Sequence, residues 1–246
     1  MSLPFLQPYL GLSNSLQTVN TVSGWDFDDN FTSYANQGAF DAEYPTSATG
    51  EMRGNPSTDV IDWKQTGSIA TNHQRIYNDL IVATISDTAW VLRQPIEVNT
   101  LTAATSPYYQ GIYIGISSVN TGVGTAQDFI GHSYKFNSVT TAMYAAHSDG
   151  TSLDNPATSG QVFATALDVG IDYNEIIRTS ATQFTDEIFS DSAYSTSVEK
   201  ETKTISSGVQ SLRYWVIQGY DNATGGLITG KILANLRFAN GVTVAP

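Results

Sequence analysis

From Trp25 onward the chain alternates apolar and polar residues with a period of two, in short runs broken by Gly, Asn, Asp and Ser. That period sends successive side chains to opposite faces of a strand and does not fit a helical stripe. Within Gly111–Ser117, Ile112, Ile114 and Ile116 point to one face and Tyr113, Gly115 and Ser117 to the other. Leu212, Tyr214 and Val216 likewise oppose Arg213, Trp215 and Ile217. The pattern predicts strands at Asp59–Trp63, Ile76–Ile85, Ala89–Val98, Gly111–Ser117, Asp128–Phe136 and Tyr144–His147. Further strands are predicted at Asn174–Ser180, Gln183–Phe189, Ser197–Ile205, Leu212–Gly219 and Gly226–Phe238. Strands at this spacing, without interleaved long helices, make an all-β antiparallel sandwich or barrel. One short helix is expected at Tyr34–Glu43, where Ala35, Ala39, Phe40 and Ala42 form an apolar stripe that Pro45 ends.

The first residues read differently. No charged side chain occurs from Met1 to Trp25, yet Leu3, Phe5, Leu6, Tyr9, Leu10, Leu12 and Leu16 are too apolar for a solvated tail. Pro4, Pro8 and Gly11 deny this stretch a long helix. It is either a strap laid on its own domain or an extended arm that buries its leucines on a partner; residues foreign to the natural chain are a third reading. The expected division is an N-terminal arm at residues 1–24 and one domain at 25–246. The start lacks the basic and apolar regions of a cleaved leader. No run of about 18 apolar residues occurs, so no membrane span is expected.

Charge narrows the partners. Eleven Lys+Arg stand against 23 Asp+Glu, a formal charge of −12, which excludes phosphate-backbone binding and hence nucleic acid. The absence of Cys removes disulfides, thiolate zinc sites, iron–sulfur clusters and thiol nucleophiles.

Asp28-Asp29-Asn30-Phe31-Thr32-Ser33-Tyr34 leads into Ala39–Glu43, and is followed by Asp59–Trp63, Ser86–Arg93 and Tyr113–Ser117. Ile177–Thr182, Phe189–Ser195, Leu212–Tyr214, Leu236–Phe238 and Asn240–Thr243 continue the series. Over residues 25–245 these stretches resemble the concanavalin A-like lectin/glucanase superfamily, in particular the LamG-like jelly rolls of phage and archaeal-virus structural proteins. The resemblance implies a two-sheet jelly-roll sandwich with a concave face able to cradle a sugar. Many such modules bind glycans, some bind calcium, and a minority hydrolyse glycosidic bonds.

Hydrolysis with retention needs two carboxylates about 5–5.5 Å apart, which on a strand means i and i+2. Three pairs qualify by spacing: Asp26/Asp28, Asp41/Glu43 and Glu199/Glu201. The first precedes the sheets, the second falls in the expected helix, and the third lies in a mixed-charge run that reads as a solvent-exposed edge. The Glu-x-Asp-x-Glu strand of the family's glucanases is missing. The chain is therefore read as a non-enzyme. His73, His132 and His147 have no metal-binding spacing and read as surface or hydrogen-bonded residues. Gly122-Val123-Gly124-Thr125 reads as a mobile hairpin loop, since no phosphate-loop continuation follows. Asp26-Phe27-Asp28-Asp29-Asn30 has the oxygens a hard cation needs, but capping and turn formation by Asp29 or Asn30 account for it equally; no cofactor is expected beyond this weak calcium signal.

Sugars are held by aromatic faces and by amides and carboxylates. Tyr108, Tyr109, Tyr113 and Trp215, with Tyr220, Asp221 and Asn222 in the following turn, are the candidate ligand residues. Trp215 has two readings, core or ligand platform, whereas Trp25, Trp63 and Trp90 read as core. Two functions follow. One is a virion structural protein, a capsid decoration, tail or fibre component, docked on other virion proteins or on itself through residues 1–22 and able to bind host glycans. The other is a carbohydrate-binding module of a cell-surface or secreted protein.

Overall fold

The computed structural model describes residues 24–46, 52–66, 75–80, 84–102, 110–121, 123–136, 141–154, 162–165, 168–206, 208–221 and 227–246. Its elements in chain order are β1 (Phe27–Asp29), α1 (Gln37–Glu43), β2 (Arg53–Asn55), β3 (Val60–Thr66), β4 (Arg75–Asp79), β5 (Trp90–Thr102), β6 (Gln110–Ser117) and β7 (Asp128–Phe136). Then follow β8 (Thr141–Asp149), β9 (Gly170–Ser180), β10 (Gln183–Phe189), β11 (Ser197–Thr204), β12 (Tyr214–Asp221), β13 (Leu227–Ile232) and β14 (Leu236–Asn240). Two antiparallel sheets result. One has nine strands, β11-β10-β9-β5-β13-β3-β2, with β14 also on β5 and β1 beyond β14; the other runs β4-β12-β6-β7-β8.

The expected strand Gly226–Phe238 is two strands, β13 and β14, laid end to end along β5. The break falls beside Pro95, which has no amide hydrogen to give the ladder; Leu233 N donates instead to the Pro95 carbonyl. Asn235 completes the break with φ of 76°, a left-handed conformation that asparagine tolerates. The helix is shorter than the alanine pattern predicts. Asn36 caps it by accepting from Ala39 N, and Tyr34 lies before it.

The main core fills the space between the sheets. Trp63, Trp90 and Trp215 are its largest members, and Ile112, Ile114 and Ile116 of β6 point into it. Helix α1 closes one end by burying Phe40 against Phe31 and Tyr44, and Tyr44 meets the Trp215 ring edge-on at 6.0 Å. Asp29 holds this corner together, accepting from Phe31 N, Tyr34 OH and Tyr44 OH. Burial, together with the neighbouring Asp29 charge, pushes both phenols well above the usual tyrosine range.

The outer face of the nine-stranded sheet carries one charged row across six strands. Within it Lys200 pairs with Glu187, Arg93 with Glu175 and Arg237 with Asp28, at 2.9, 2.6 and 3.0 Å. Trp25 packs on Val91 and Ala239 beside this row, under Arg93 and Arg237, so it is buried outside the sandwich rather than within it. Gly24 lies so close to Pro246 that a Cβ on it would come within 2.5 Å of the Pro246 Cβ. Residue 24 and the final residue therefore sit side by side on this face.

Candidate functional site

The outer face of the five-stranded sheet is the second place where aromatic and polar side chains gather. Register fixes which residues share a row. Arg75 of β4 lies opposite Gln218 of β12, Gln218 opposite Tyr113 of β6, Tyr113 opposite Ser133 of β7, and Ser133 opposite Tyr144 of β8. One row along, Val216, Gly115, Gly131 and Ala146 form a floor of small side chains, with Tyr77 at its β4 end. On the other side Lys135 sits between Gly111 and Ala142.

Close packing explains the glycines. A Cβ at Gly115 would meet the Ile130 carbonyl oxygen at 2.3 Å, and one at Gly131 would meet the Ile114 carbonyl oxygen at 2.4 Å. The two strands thus approach more closely than side chains allow. The Phe129 ring lies over Gly131 and meets Tyr113 edge-on at 5.9 Å, and the Tyr113 and Tyr144 hydroxyls are 3.4 Å apart. Gln218 is spent on the chain that crosses this face: its Oε1 accepts from Val123 N and its Nε2 donates to Val123 O. Val123 is buried there, so the Gly122–Thr125 stretch, described but for Gly122, is held down at its centre rather than being a mobile loop. Burial pushes the Lys135 ammonium below the usual lysine range.

Tyr113 lies on this outer face, opposite the isoleucine stripe, where it is 4% exposed and packed in a cluster with Val123, Phe129 and Tyr144. Tyr220 and Asp221 end β12, with backbones paired to Gly111 and Gln110. Tyr108, Tyr109 and Asn222 lie outside the described residues. Trp215 is corrected from platform to core: it is 0% exposed, on the inner face of β12 with Ile217. Its register partners Ile116 and Asn78 alternate with the outward-facing row. Gln218, Tyr144, Lys135, Arg75 and Tyr77 were not singled out from the sequence. The signal for Gln218 was its parity with Val216, which could be read only once the inward stripe of β12 was known.

Trp215 starts a hydrogen-bonded chain through the interior. Its Nε1 donates to Gln94 Oε1 at 2.9 Å, Gln94 Nε2 to Asn174 Oδ1 at 3.0 Å, and Asn174 Nδ2 to Asp186 Oδ1 at 2.5 Å; Asp186 Oδ2 then meets His132 Nδ1 at 2.8 Å. All five side chains are fully buried, so this chain reaches no ligand. His147 is also hydrogen-bonded, to Asp154, while His73 lies outside the described residues.

The spaced carboxylates are otherwise engaged. Asp28 pairs with Arg237, Asp26 accepts from Asn240 N, Asp41 pairs with Arg53, and Glu43 accepts from Asn78. The run at β11 is an exposed edge only on its outer side. Glu199 and Glu201 are half-buried on the inner side, and Glu199 accepts from the amides of Ala164 and Thr165. Burial works against ionisation of both. The amide hydrogen bonds outweigh it at Glu199, whose carboxyl is held low, whereas burial with Glu199 and Asp186 nearby pushes Glu201 up. Asp29 makes the turn expected of the acidic run, and Asn36 rather than Asp29 or Asn30 caps the helix.

No family model matches the chain, and no curated protein matches it. Solved structures do match. The carbohydrate recognition domain of Emp46p in its metal-free form is 11% identical, with a TM-score of 0.54 over 89% of this chain and 100% of that one. The CBM2 module of the evolved Dit of Lactobacillus casei BL23 phage J-1 is 13% identical, with a TM-score of 0.52 over 91% and 97%. The alginate lyase Aly36B is 10% identical, with a TM-score of 0.53 over 89% and 98%. The fold is the concanavalin A-like jelly roll. At these identities the likeness is one of fold, shared by sugar-recognition domains and a lyase alike.

Proposed function

We propose that this chain is a non-catalytic, glycan-binding jelly roll carried by a virion, with the outer face of the five-stranded sheet as its ligand face. The proposed face carries the row Gln218–Tyr113–Ser133–Tyr144, whose side chains are at most 4% exposed, with Gln218 held by Val123, so the row is the framework beneath the ligand surface and not the surface itself. The observation that carries the reading is the fold, shared with a carbohydrate recognition domain and with a phage module. The engagement of Asp26, Asp28, Asp41, Glu43 and Glu199 by partners within the fold supports the non-catalytic part.

The domain is residues 25–246, and the uncharged segment 1–22 is the attachment to other virion proteins or to itself. Residue 24 lies on the nine-stranded sheet, opposite the ligand face, so an attachment there leaves that face outward. The reading is tested by titrating polysaccharides into the chain and into Tyr113→Leu and Tyr144→Phe variants, with folding checked by near-ultraviolet circular dichroism. Binding that falls at least tenfold in folded Tyr113→Leu is expected. Turnover of any polysaccharide, or binding untouched by both changes, contradicts the reading. Deleting residues 1–22 should dissolve any symmetric assembly while leaving glycan binding intact; a chain that is monomeric with and without them favours a carbohydrate-binding module of a cell-surface or secreted protein.

A further inference from the structure

We infer that the outer face of the nine-stranded sheet is a two-fold interface for a second copy of this chain; the inference deepens the attachment reading above and rests on it where residues 1–22 are concerned. The charged row on this face carries it. Register places Lys200 opposite Glu187, Glu187 opposite Glu175, Glu175 opposite Arg93, Arg93 opposite Arg237 and Arg237 opposite Asp28. From β11 to β1 the signs therefore run plus, minus, minus, plus, plus, minus. Taken from the other end, every sign is reversed. A second copy laid on this face about an axis parallel to the strands, between β9 and β5, thus meets the opposite charge along the whole row. The partner's Asp28 comes over Lys200, the partner's Arg237 over Glu187 and the partner's Arg93 over Glu175. An axis along the row would instead set like charges together, so the order of signs fixes the symmetry as well as the occupant.

The surroundings of the row agree. Glu187 beside Glu175, and Arg93 beside Arg237, are like charges on neighbouring strands, a destabilising arrangement that the partner's opposite pairs relieve. The row sums to zero in a chain of net charge −12, so two copies repel each other least on this face. Lys200 and Arg237 keep 47% and 34% of their side-chain area exposed. Arg93, stacked under Tyr194, and Glu175 are more covered and act at longer range. By alternation Ile171 shares the face of Glu175 and Val198 that of Lys200; they are 44% and 49% exposed, apolar surface that a second copy covers. Residue 24 lies on the same face, which brings the uncharged segment 1–22 to the seam with no charge to upset the pairing.

The test is the dimerisation constant of the full chain by sedimentation equilibrium, with the variants Lys200→Glu and Asp28→Lys measured singly and mixed. The native chain should dimerise, and more weakly as salt is raised. Each variant alone sets like charges together at both ends of the row and should dimerise at least about tenfold more weakly. An equimolar mixture of the two should recover most of that loss, since each chain then meets the charge it lacks. Charges acting only within their own chain give no recovery on mixing. The salt dependence of the native chain stands even where a variant does not fold. A native chain monomeric at about 0.1 mM, a dimer insensitive to salt, or variants no better mixed than alone overturns the inference. Assembly lost on deleting residues 1–22 but indifferent to both charge changes overturns this interface and leaves the attachment reading standing. Assembly that survives the deletion and shows recovery on mixing supports the interface and overturns the attachment reading.

Discussion

Trp215 Nε1 donates to Gln94 Oε1 at 2.9 Å across the interior, joining the five-stranded sheet to the nine-stranded one. Gln94 also donates to Asn174, so Gln94→Leu strips both the indole and Asn174 Oδ1 of a buried partner. Each stranded group costs about 1–3 kcal/mol. Urea unfolding should show a loss of about 2–4 kcal/mol with the slope unchanged, and a loss below about 0.5 kcal/mol would mean the chain is not maintained.

Asp154 bonds to His147 on β8 and to Lys203 on β11, clamping the edge strands of the two sheets. Burial opposes its ionisation, but the hydrogen bonds from His147 and Lys203 outweigh this and hold the carboxyl below the usual range. A carboxyl lowered in the folded state contributes stability that is present above its unfolded pKa and is lost as pH falls through the folded value. The native chain should therefore lose stability below about pH 4, and Asp154→Asn should flatten part of that limb. At neutral pH the variant leaves Lys203 buried without its counter-ion, a loss of about 2–4 kcal/mol by chemical denaturation.

Asp172 has the opposite sign. Burial pushes its carboxyl up, against smaller opposing effects of His132 and the Tyr134 hydroxyl, which donates to it at 3.0 Å. Its stabilising contribution is complete below the unfolded pKa and is lost as pH rises through the folded one. Asp172→Asn keeps an acceptor for Tyr134 and removes the desolvated charge. Its thermal midpoint should exceed that of the native chain at pH 7, and the difference should vanish below about pH 4. A lower midpoint at pH 7 would contradict this.

Gln218→Ala removes both hydrogen bonds that hold Val123 to the five-stranded face. Each contributes about 1 kcal/mol locally, so amide exchange at Val123 should rise about tenfold or more with little change in global stability. Unchanged exchange would show that packing alone holds it.

Much of this fold was legible from short runs rich in β-branched and aromatic residues bounded by turn residues, and a period of two is hard to mistake where it is clean, as in β6. β1 and β2 were missed because three residues cannot display alternation. The break at Leu233–Asn235 was hidden because it is set by Pro95, far away in sequence, on the neighbouring strand. The site was less legible. In β12 both stripes are apolar, so nothing local decides whether Trp215 or Val216 faces inward. That choice is made by pairing with β6, where Ile116 lies opposite Trp215 and Gly115 opposite Val216. The side of the sheet that Tyr113 takes was legible because its strand has one unambiguous isoleucine stripe. Gln218, Lys135 and Tyr144 sit on one face only through register, which no single strand reveals.

The most direct test of the proposed ligand face is hydrogen exchange of the full chain with and without an added polysaccharide. New protection should fall in β6, β7 and β12, around Tyr113, Lys135 and Gln218, and leave Arg93, Glu175 and Arg237 unchanged. Protection confined to the outer face of the nine-stranded sheet, or to none of these strands under saturating ligand, would contradict the account.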